Sequence, residues 1–447
     1  MNIHFSGIGG SGVSAIAGFM AERGHEVSGS DRAFESNPEH PARRALLALG
    51  AALYPQDGSG ITGGLDLLVI STAVEQDNPE LLKAQALGIT VMTRPEHLAS
   101  LVSAHRTIAV AGTSGKSTVS GMLAYAMREL GLGPNFIGGG RVIQFQDASH
   151  AGNYLAGTSD ALVIEACESD GSIVGYAPEH TIILNLDLDH HAIAETASMF
   201  RALIQRTSAL KVVNADDPNL SPVTPPDAVG FSIDAPSKYQ ARDIALRPFS
   251  SEFTVNGQPY RLSIPGRYNV MNALSVIALL TEFGMDTTRI ASACEGFRGI
   301  GRRFEVHLDQ GRHLVIDDYA HNPHKISALM GAAAEVRQSI CYIFQPHGYA
   351  PTRLMREGYI EAFAAGLRPS DHLMLLPIYY AGGTVARDIS SDALADGISA
   401  RGGSVEVVAT RDELLNRIGK WDGYIVLGAR DETLSLLASR IADKLKS

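Results

Sequence analysis

IAVAGTSGKST, residues 108–118, decides the fold. Its first half is a run of small apolar residues of the kind that forms a buried parallel strand, and Gly112 and Gly115 then turn the chain. A helical pattern starts at Lys116. Strand, glycine turn and helix in that order leave backbone N–H groups pointing out of a helix N-terminus, where a phosphate binds. The amides of Thr113, Ser114, Gly115 and Lys116 can wrap phosphate oxygens, and the Lys116 ammonium can reach the outer phosphates. The Ser117 hydroxyl, followed by Thr118, can meet a Mg2+ ion. Val110 stands five positions before Gly115, where the common P-loop has a further glycine, so this is the shorter GTxGK[ST] form.

Toward the N-terminus lies a second glycine loop, FSGIGGSGVS at 5–14. Gly7, Gly9 and Gly12, with Gly10 and Ser11 between them, fit G-x-G-x-x-G after a strand and before a helix, and Asp31 ends the next strand. This pattern fits a diphosphate but does not single out NAD, and glycines that only allow tight strand-to-helix packing would look the same. Open parallel sheets bind ligands just outside the carboxyl ends of their strands, so polar residues following apolar runs are the candidates throughout.

Composition narrows the class. The 447 residues imply roughly three domains at about 150 residues each. Hydrophobic residues make up 45% and there are 45 glycines, as in a globular protein with many tight turns. With 37 basic against 48 acidic residues the net charge is −11, which argues against nucleic acid as a partner. Cys167, Cys294 and Cys341 form no CxxC pair, so neither a zinc site nor a disulfide framework is indicated. The first twenty residues lack a basic region ahead of an apolar core, and no membrane insertion is expected. A cytoplasmic protein is expected.

Short apolar runs alternate with helical patterns along the whole chain, the signature of α/β domains with parallel sheets. Three blocks are expected: a Rossmann-like domain at 1–105, a central P-loop domain at 106–298 and a Rossmann-like C-terminal domain at 299–447. In the second block, ALVIEACESD and HTIILNLDLDHH each end in acidic or histidine residues, FTVNGQPYRLSIPG reads as a hairpin, and NVMNALSVIALLTEFG reads as a helix. In the third, HLVIDDYAH, ICYIFQP, HLMLLPIY, SVEVVA and YIVLGA read as strands.

The ordered blocks GTSGKST, VIEACESD, NLDLDHH, VVNADDP, PGRYNVMNAL, GRRFE, DDYAHNPH and FQPHGYAPTR resemble the Mur ligase superfamily over nearly the whole chain. Together with GIGGSGVSAIAGFMAERGHEVSGSD and ISTAVEQDNPELLKAQALGITVMTRPEHLASL they come nearest to its UDP-N-acetylmuramate–L-alanine branch and the related muramate–peptide branch. The resemblance implies an ATP-dependent carboxylate–amine ligase of peptidoglycan synthesis or recycling. A sugar-linked carboxylate would attack the γ-phosphate of ATP, and the amine of an amino acid or peptide would displace phosphate from the acyl phosphate. One glycine loop would then hold the UDP diphosphate of UDP-N-acetylmuramate and the other ATP.

By the same resemblance, Lys116, Glu165, His190 and Arg303 are catalytic, and Ser117, Glu165 and His190 hold Mg2+, with two ions in all. Gly112 to Thr118, Asn272, Arg303 and Asp318 contact ATP; Gly7, Gly9, Gly10, Ser11, Gly12, Asp31, Ser71 and Thr72 line the UDP-sugar site; His321, His347 and Arg353 meet the acceptor. Glu168 and Asp170 either ligate metal or hold its ligands in place. Neutralising charge is the physical task, because two anions must meet. A monomer or weak homodimer is expected.

The chain also departs from the pattern. Tyr268 stands where the alanine-adding branch usually has histidine, and Gln205 and Lys211 lie near the position where several members carry a carbamylated lysine. FQPHGYAPTR has Gly348 and Pro351 where that branch has arginines, so its free L-alanine pocket is expected to be altered. Arg387 is a possible substitute cation. The other readings are a ligase of the same fold acting on a different carboxylate, such as a folate or a polyamino acid, and a non-catalytic nucleotide-binding module. A dehydrogenase would explain only the first loop.

Overall fold

The computed structural model describes residues 1–37, 40–71, 74–147, 150–188, 191–380 and 386–446. They form two compact units, Met1–Ile300 and Gly301–Ser447.

The first unit contains two sheets. One has five parallel strands in the spatial order Ala52–Tyr54, Glu26–Ser30, Asn2–Ser6, Leu67–Ile70, Thr90–Thr93. The other has ten, with Arg106–Ala111 between His180–Ile183 and Ala161–Glu165; Lys211–Asn214 and Val229–Ser232 extend it on the first side and Asn135–Ile137 on the other. The expected hairpin is present at its edge as the antiparallel pair Ser250–Val255 and Gln258–Leu262. In both sheets the strand that feeds a glycine loop has its sequence successors on opposite sides. Strand order therefore reverses there, which opens a crevice at the strand's carboxyl end.

Local sequence explains these elements. IAVA is buried on both faces between parallel neighbours, and the helix Lys116–Glu129 begins immediately after Gly115. The helix Arg267–Glu282 carries apolar residues almost all round, and Val270 and Ala273 to Leu280 are buried beneath the ten-stranded sheet. The glycine-loop helix Ser11–Glu22 packs tightly on the second sheet: a Cβ on Gly18 would lie 2.4 Å from the Tyr154 ring, so only glycine fits. Asn153 donates to the Ser11 carbonyl at 2.9 Å, and one apolar cluster runs from Ile3 and Phe5 through Ala109 to Ile164. This shared core joins the two sheets, and both glycine loops lie in the one compact unit Met1–Ile300.

The second unit has six strands in the order Glu305–Gln310, His313–Asp318, Gly423–Gly428, Ile340–Gln345, His372–Leu375, Val405–Val407. All pairings are parallel except that of the first two. Its core includes Val315, Ile343, Met374, Val426 and Leu437. The three sheets give the expected α/β class, and no helix among the described residues is long and apolar enough to cross a membrane.

Candidate active site

At the first loop Gly7 has φ +78°, and Ser71 Cβ lies 2.9 Å from where a Cβ on Gly7 would sit, so a side chain is excluded by conformation and by space. The Gly7 and Ile8 amides both donate to the Ser30 carbonyl, at 2.8 and 3.0 Å. Asp31 spends both oxygens on backbone: Oδ2 accepts from Gly9 at 2.7 Å and Oδ1 from Ala33 at 2.8 Å. It therefore shapes the loop. No side chain among the described residues caps the helix behind Gly10, so the amides around Ser11 and Gly12 remain for an anion. Thr72 lies outside the described residues.

Beneath this loop is a buried group that the sequence reading missed. Glu80, fully buried, accepts from Ser6 at 2.5 Å and Ser30 at 2.7 Å and meets His4 Nε2 at 3.2 Å. Desolvation alone would raise its pKa, but the hydrogen bonds from His4, Ser6 and Ser30 bring it below the ordinary value. The carboxylate ties together the ends of the two strands that carry the loop. In sequence it reads only as an acidic residue in a helix's first turn.

At the second loop Gly112 and Gly115 have φ +145° and +90°. Asn185, also missed, clamps the loop: its side chain accepts from the Ser114 amide at 2.7 Å and donates to the Ser114 carbonyl at 3.0 Å. Its carbonyl accepts from Thr113 at 3.1 Å. Lys116 Nζ donates to the Gly112 carbonyl at 2.6 Å and pairs with Glu168 at 2.9 Å. Glu168 thus holds the loop lysine. Asp170 pairs with Arg94.

Ser117 Oγ donates to Glu165 Oε2 at 3.0 Å, and Glu165 Oε1 accepts from the Gly139 and Gly140 amides at 2.8 and 3.3 Å. A hydroxyl and a carboxylate are hard oxygen donors, and their contact at the helix N-terminus fits Mg2+. His190, expected as the third ligand, lies outside the described residues. Lys211 points elsewhere: it starts its strand, at the end away from the loops, and pairs with Asp227 at 2.9 Å.

Asn272 is buried against the same loop, with its Oδ1 2.7 Å from where a Cβ on Gly115 would lie. Its amide donates to Asn269 Oδ1 at 3.3 Å, and Asn269 donates to the Pro265 carbonyl at 2.6 Å, so Asn269 acts at the helix start and orients its neighbour. Tyr268 is 64% exposed beside them.

In the second unit, the adjacent arginines of GRRF have opposite fates. Arg302, at φ +60°, is buried: it faces Asp317 at 3.4 Å and donates to the carbonyls of Gly428 at 2.7 Å and Asp431 at 3.1 Å. Arg303 is exposed. Glu305, His307 and Asp317 bring one ligand atom each within 4.8 Å of one another, but the buried Arg302 charge beside Asp317 already accounts for this cluster.

Asp318 accepts from the amides of Phe304 and Ala320, both at 2.7 Å, and desolvation pushes it up to about 6 against those hydrogen bonds. The His321 and His347 rings meet edge to face at 5.2 Å. His347 is buried with Nδ1 unpartnered, and burial, reinforced by His321 and Arg430, lowers it to about 4, so it is neutral at physiological pH. Arg353 pairs with Asp388, and Gly348 takes φ +70° with its amide on the Tyr379 carbonyl at 2.8 Å. Arg387 lies 4.2 Å over the Tyr380 ring.

Comparison with known proteins matches residues 2–106 to the Mur ligase family, catalytic domain, 110–280 to the Mur ligase middle domain, and 302–430 to the Mur ligase, glutamate ligase domain. A UDP-N-acetylmuramate–L-alanine ligase of Stenotrophomonas maltophilia is 36% identical over 98% of this chain and 94% of its own. The crystal structure of UDP-N-acetylmuramate–alanine ligase from Thermotoga maritima superposes with a TM-score of 0.83 at 27% identity, covering 100% of this chain and 99% of that one. A UDP-N-acetylmuramate:L-alanyl-γ-D-glutamyl-meso-diaminopimelate ligase from Neisseria is also similar, with a TM-score of 0.58 and 27% identity over 67% of this chain and 99% of that one. With family matches from residue 2 to residue 430 and this identity over nearly its full length, the chain belongs to the Mur ligase family.

Proposed function

We propose that this chain joins an amino acid or a peptide to the carboxylate of UDP-N-acetylmuramate, using ATP, in peptidoglycan synthesis or recycling. One observation carries the reading: two glycine loops, each at the reversal point of its own sheet, sit in one compact unit, and among the described residues only the second brings together a lysine, a hydroxyl and two carboxylates, Glu168 and Glu165. An inert anion site and a phosphoryl-transfer site side by side are what a ligase needs to activate a carboxylate on a nucleotide-linked sugar.

In this reading residues 1–105 bind the UDP-sugar, 106–298 bind ATP and 299–447 receive the acceptor. The first loop's amides, shaped by Asp31 and backed by Ser71 and Thr72, hold the diphosphate. Lys116 exchanges Glu168 for the γ-phosphate and, with Arg303, offsets the charge that builds as the sugar carboxylate attacks phosphorus. Ser117, Glu165 and His190 would hold Mg2+, two ions on the family pattern, which supplies further charge neutralisation. Asn272 meets adenine and Asp318 the ribose. The amine then attacks the acyl carbon and phosphate leaves.

His321, His347 and Arg353 are the acceptor residues. Because Gly348 and Pro351 replace the arginines of the alanine-adding branch, and Arg353 is engaged by Asp388, L-alanine is expected to be a poor acceptor. Phosphate release with UDP-N-acetylmuramate and ATP, screened over the amino acids and the L-alanyl-γ-D-glutamyl-diaminopimelate peptide, tests both levels. Acceptor-dependent release supports the ligase; none with any acceptor refutes it. A kcat/KM for L-alanine equal to or above every other acceptor refutes the acceptor prediction alone.

A further inference from the structure

The turn after the strand Ala161–Glu165 is tied to both glycine loops. It is closed by the Gly171 amide on the Glu168 carbonyl at 2.9 Å, with Gly171 at φ +70°, and by the Ser172 amide on Asp170 Oδ1 at 3.0 Å. Two residues apart on this turn, two carboxylates face in different directions. Glu168 pairs with Lys116, the cation of the nucleotide loop, and both side chains are largely buried, Glu168 3% and Lys116 13% exposed. Asp170 pairs with Arg94, whose Cδ lies 3.5 Å from where a Cβ on Gly12 would be, over the first loop. The cations next to both phosphate-binding loops are therefore neutralised by one short, internally bonded segment.

A phosphate at either loop competes with the turn for that loop's cation. An anionic diphosphate on Gly12 draws Arg94 from Asp170 and frees one of the turn's two anchors. Moving the other anchor then costs less, so Glu168 releases Lys116 to ATP more readily, and the same holds in reverse. Partial burial keeps both ion pairs from being fully screened.

We propose that the turn 168–171 couples the two sites, so that UDP-sugar and nucleotide each bind more tightly in the presence of the other, with Asp170 and Glu168 as positioning residues. This rests on the ligase reading above for the identity of the two ligands. The coupling is reciprocal because it is an equilibrium property of a single element.

The test is calorimetric titration of the full-length protein with the non-hydrolysable ATP analogue AMP-PNP and Mg2+, with and without saturating UDP-N-acetylmuramate. In the wild type the Kd is expected to fall by about fivefold or more when the sugar nucleotide is present. D170N removes one anchor permanently. Its AMP-PNP affinity without the sugar nucleotide should rise toward the wild-type value with it, and the ratio should collapse toward one. E168Q, which loosens Lys116 directly, should show the same collapse, and D170E, which keeps the charge, should restore the ratio. A merely structural role would weaken binding in D170N and never tighten it. If both ligands bind the wild type with a ratio of one, or if D170N or E168Q keeps the wild-type ratio, the coupling is wrong and the ligase reading stands. If UDP-N-acetylmuramate does not bind at all, the substrate reading falls and the coupling with it.

Discussion

The two glycine loops are built on the same plan and differ in what surrounds them. Both follow a central parallel strand, both need glycine at positive φ, and both present helix-start amides. The first is braced by charge: Asp31 takes the Gly9 amide and the buried Glu80 ties the strands beneath. The second is braced by a neutral amide, Asn185, and its charged groups meet side-chain partners, Lys116 with Glu168 and the Glu165 carboxylate with the Ser117 hydroxyl. A carboxylate spent on backbone beside an anion site fixes shape, whereas a lysine held by a carboxylate is available for exchange. The first loop is thus suited to hold a phosphate that does not react, the second to stabilise one that does.

Substitutions break this contrast in order of size. Lys116→Ala should leave the fold intact and lower kcat on the order of a hundredfold or more, because its charge matters most as the γ-phosphate moves. Single-turnover kinetics read this directly, and near-normal turnover would take the loop out of the mechanism. Glu165→Ala should cost roughly tenfold to a hundredfold and raise the Mg2+ concentration needed for half-maximal rate, since an oxygen ligand and a charge are lost together. An unchanged Mg2+ dependence would make Glu165 structural.

Asp31→Ala sharpens the comparison from the other side. It should raise KM for the UDP-sugar on the order of tenfold with kcat little changed, the mark of lost uniform binding. A fall in kcat with KM unaltered would mean that the first loop takes part in chemistry.

The smallest effect is in the second unit and concerns pH. Asp318, raised to about 6 in the fold, binds its proton more tightly there than unfolded, so the stability it contributes is present at low pH and lost as pH rises from about 4 through 6. His347, lowered to about 4, binds its proton less tightly in the fold, so its contribution is lost as pH falls from about 6.5 through 4. The two slopes oppose each other. Trp421, the single tryptophan, lies in this unit, so its fluorescence in urea titrations follows that unit's unfolding in the whole chain. Asp318→Asn should make stability rise with pH between 4 and 6.5 more steeply than in the wild type; an unchanged slope would contradict the shift.

What the sequence showed and what it hid follows from how each feature arises. Gly7, Gly112, Lys116 and the apolar strands are local signals: conformation, charge and periodicity are written in consecutive residues. Asn185, Glu80 and the Glu168–Lys116 pair are products of strand order, which brings residues tens of positions apart to one sheet edge. Arg302 and Arg303 are chemically identical in sequence, and only the backbone turn at Arg302 sends one inward. The strand Glu305–Gln310 has only Val306 and Leu308 as apolar residues and pairs antiparallel at an edge, so it lacks the continuous apolar run that marks the buried parallel strands. The core shared by the first two sheets likewise comes from tertiary packing, with Gly18 against Tyr154.

In the proposed reaction the second loop transfers the γ-phosphate of ATP to a carboxylate on the sugar nucleotide held by the first. UDP-N-acetylmuramate labelled with 18O in its lactyl carboxylate tests it directly. With ATP and the preferred acceptor, mass spectrometry of the products should find ADP and inorganic phosphate carrying one 18O per turnover, because the carboxylate oxygen leaves with the phosphate when the amine attacks. Unlabelled phosphate, or AMP in place of ADP, would contradict the account.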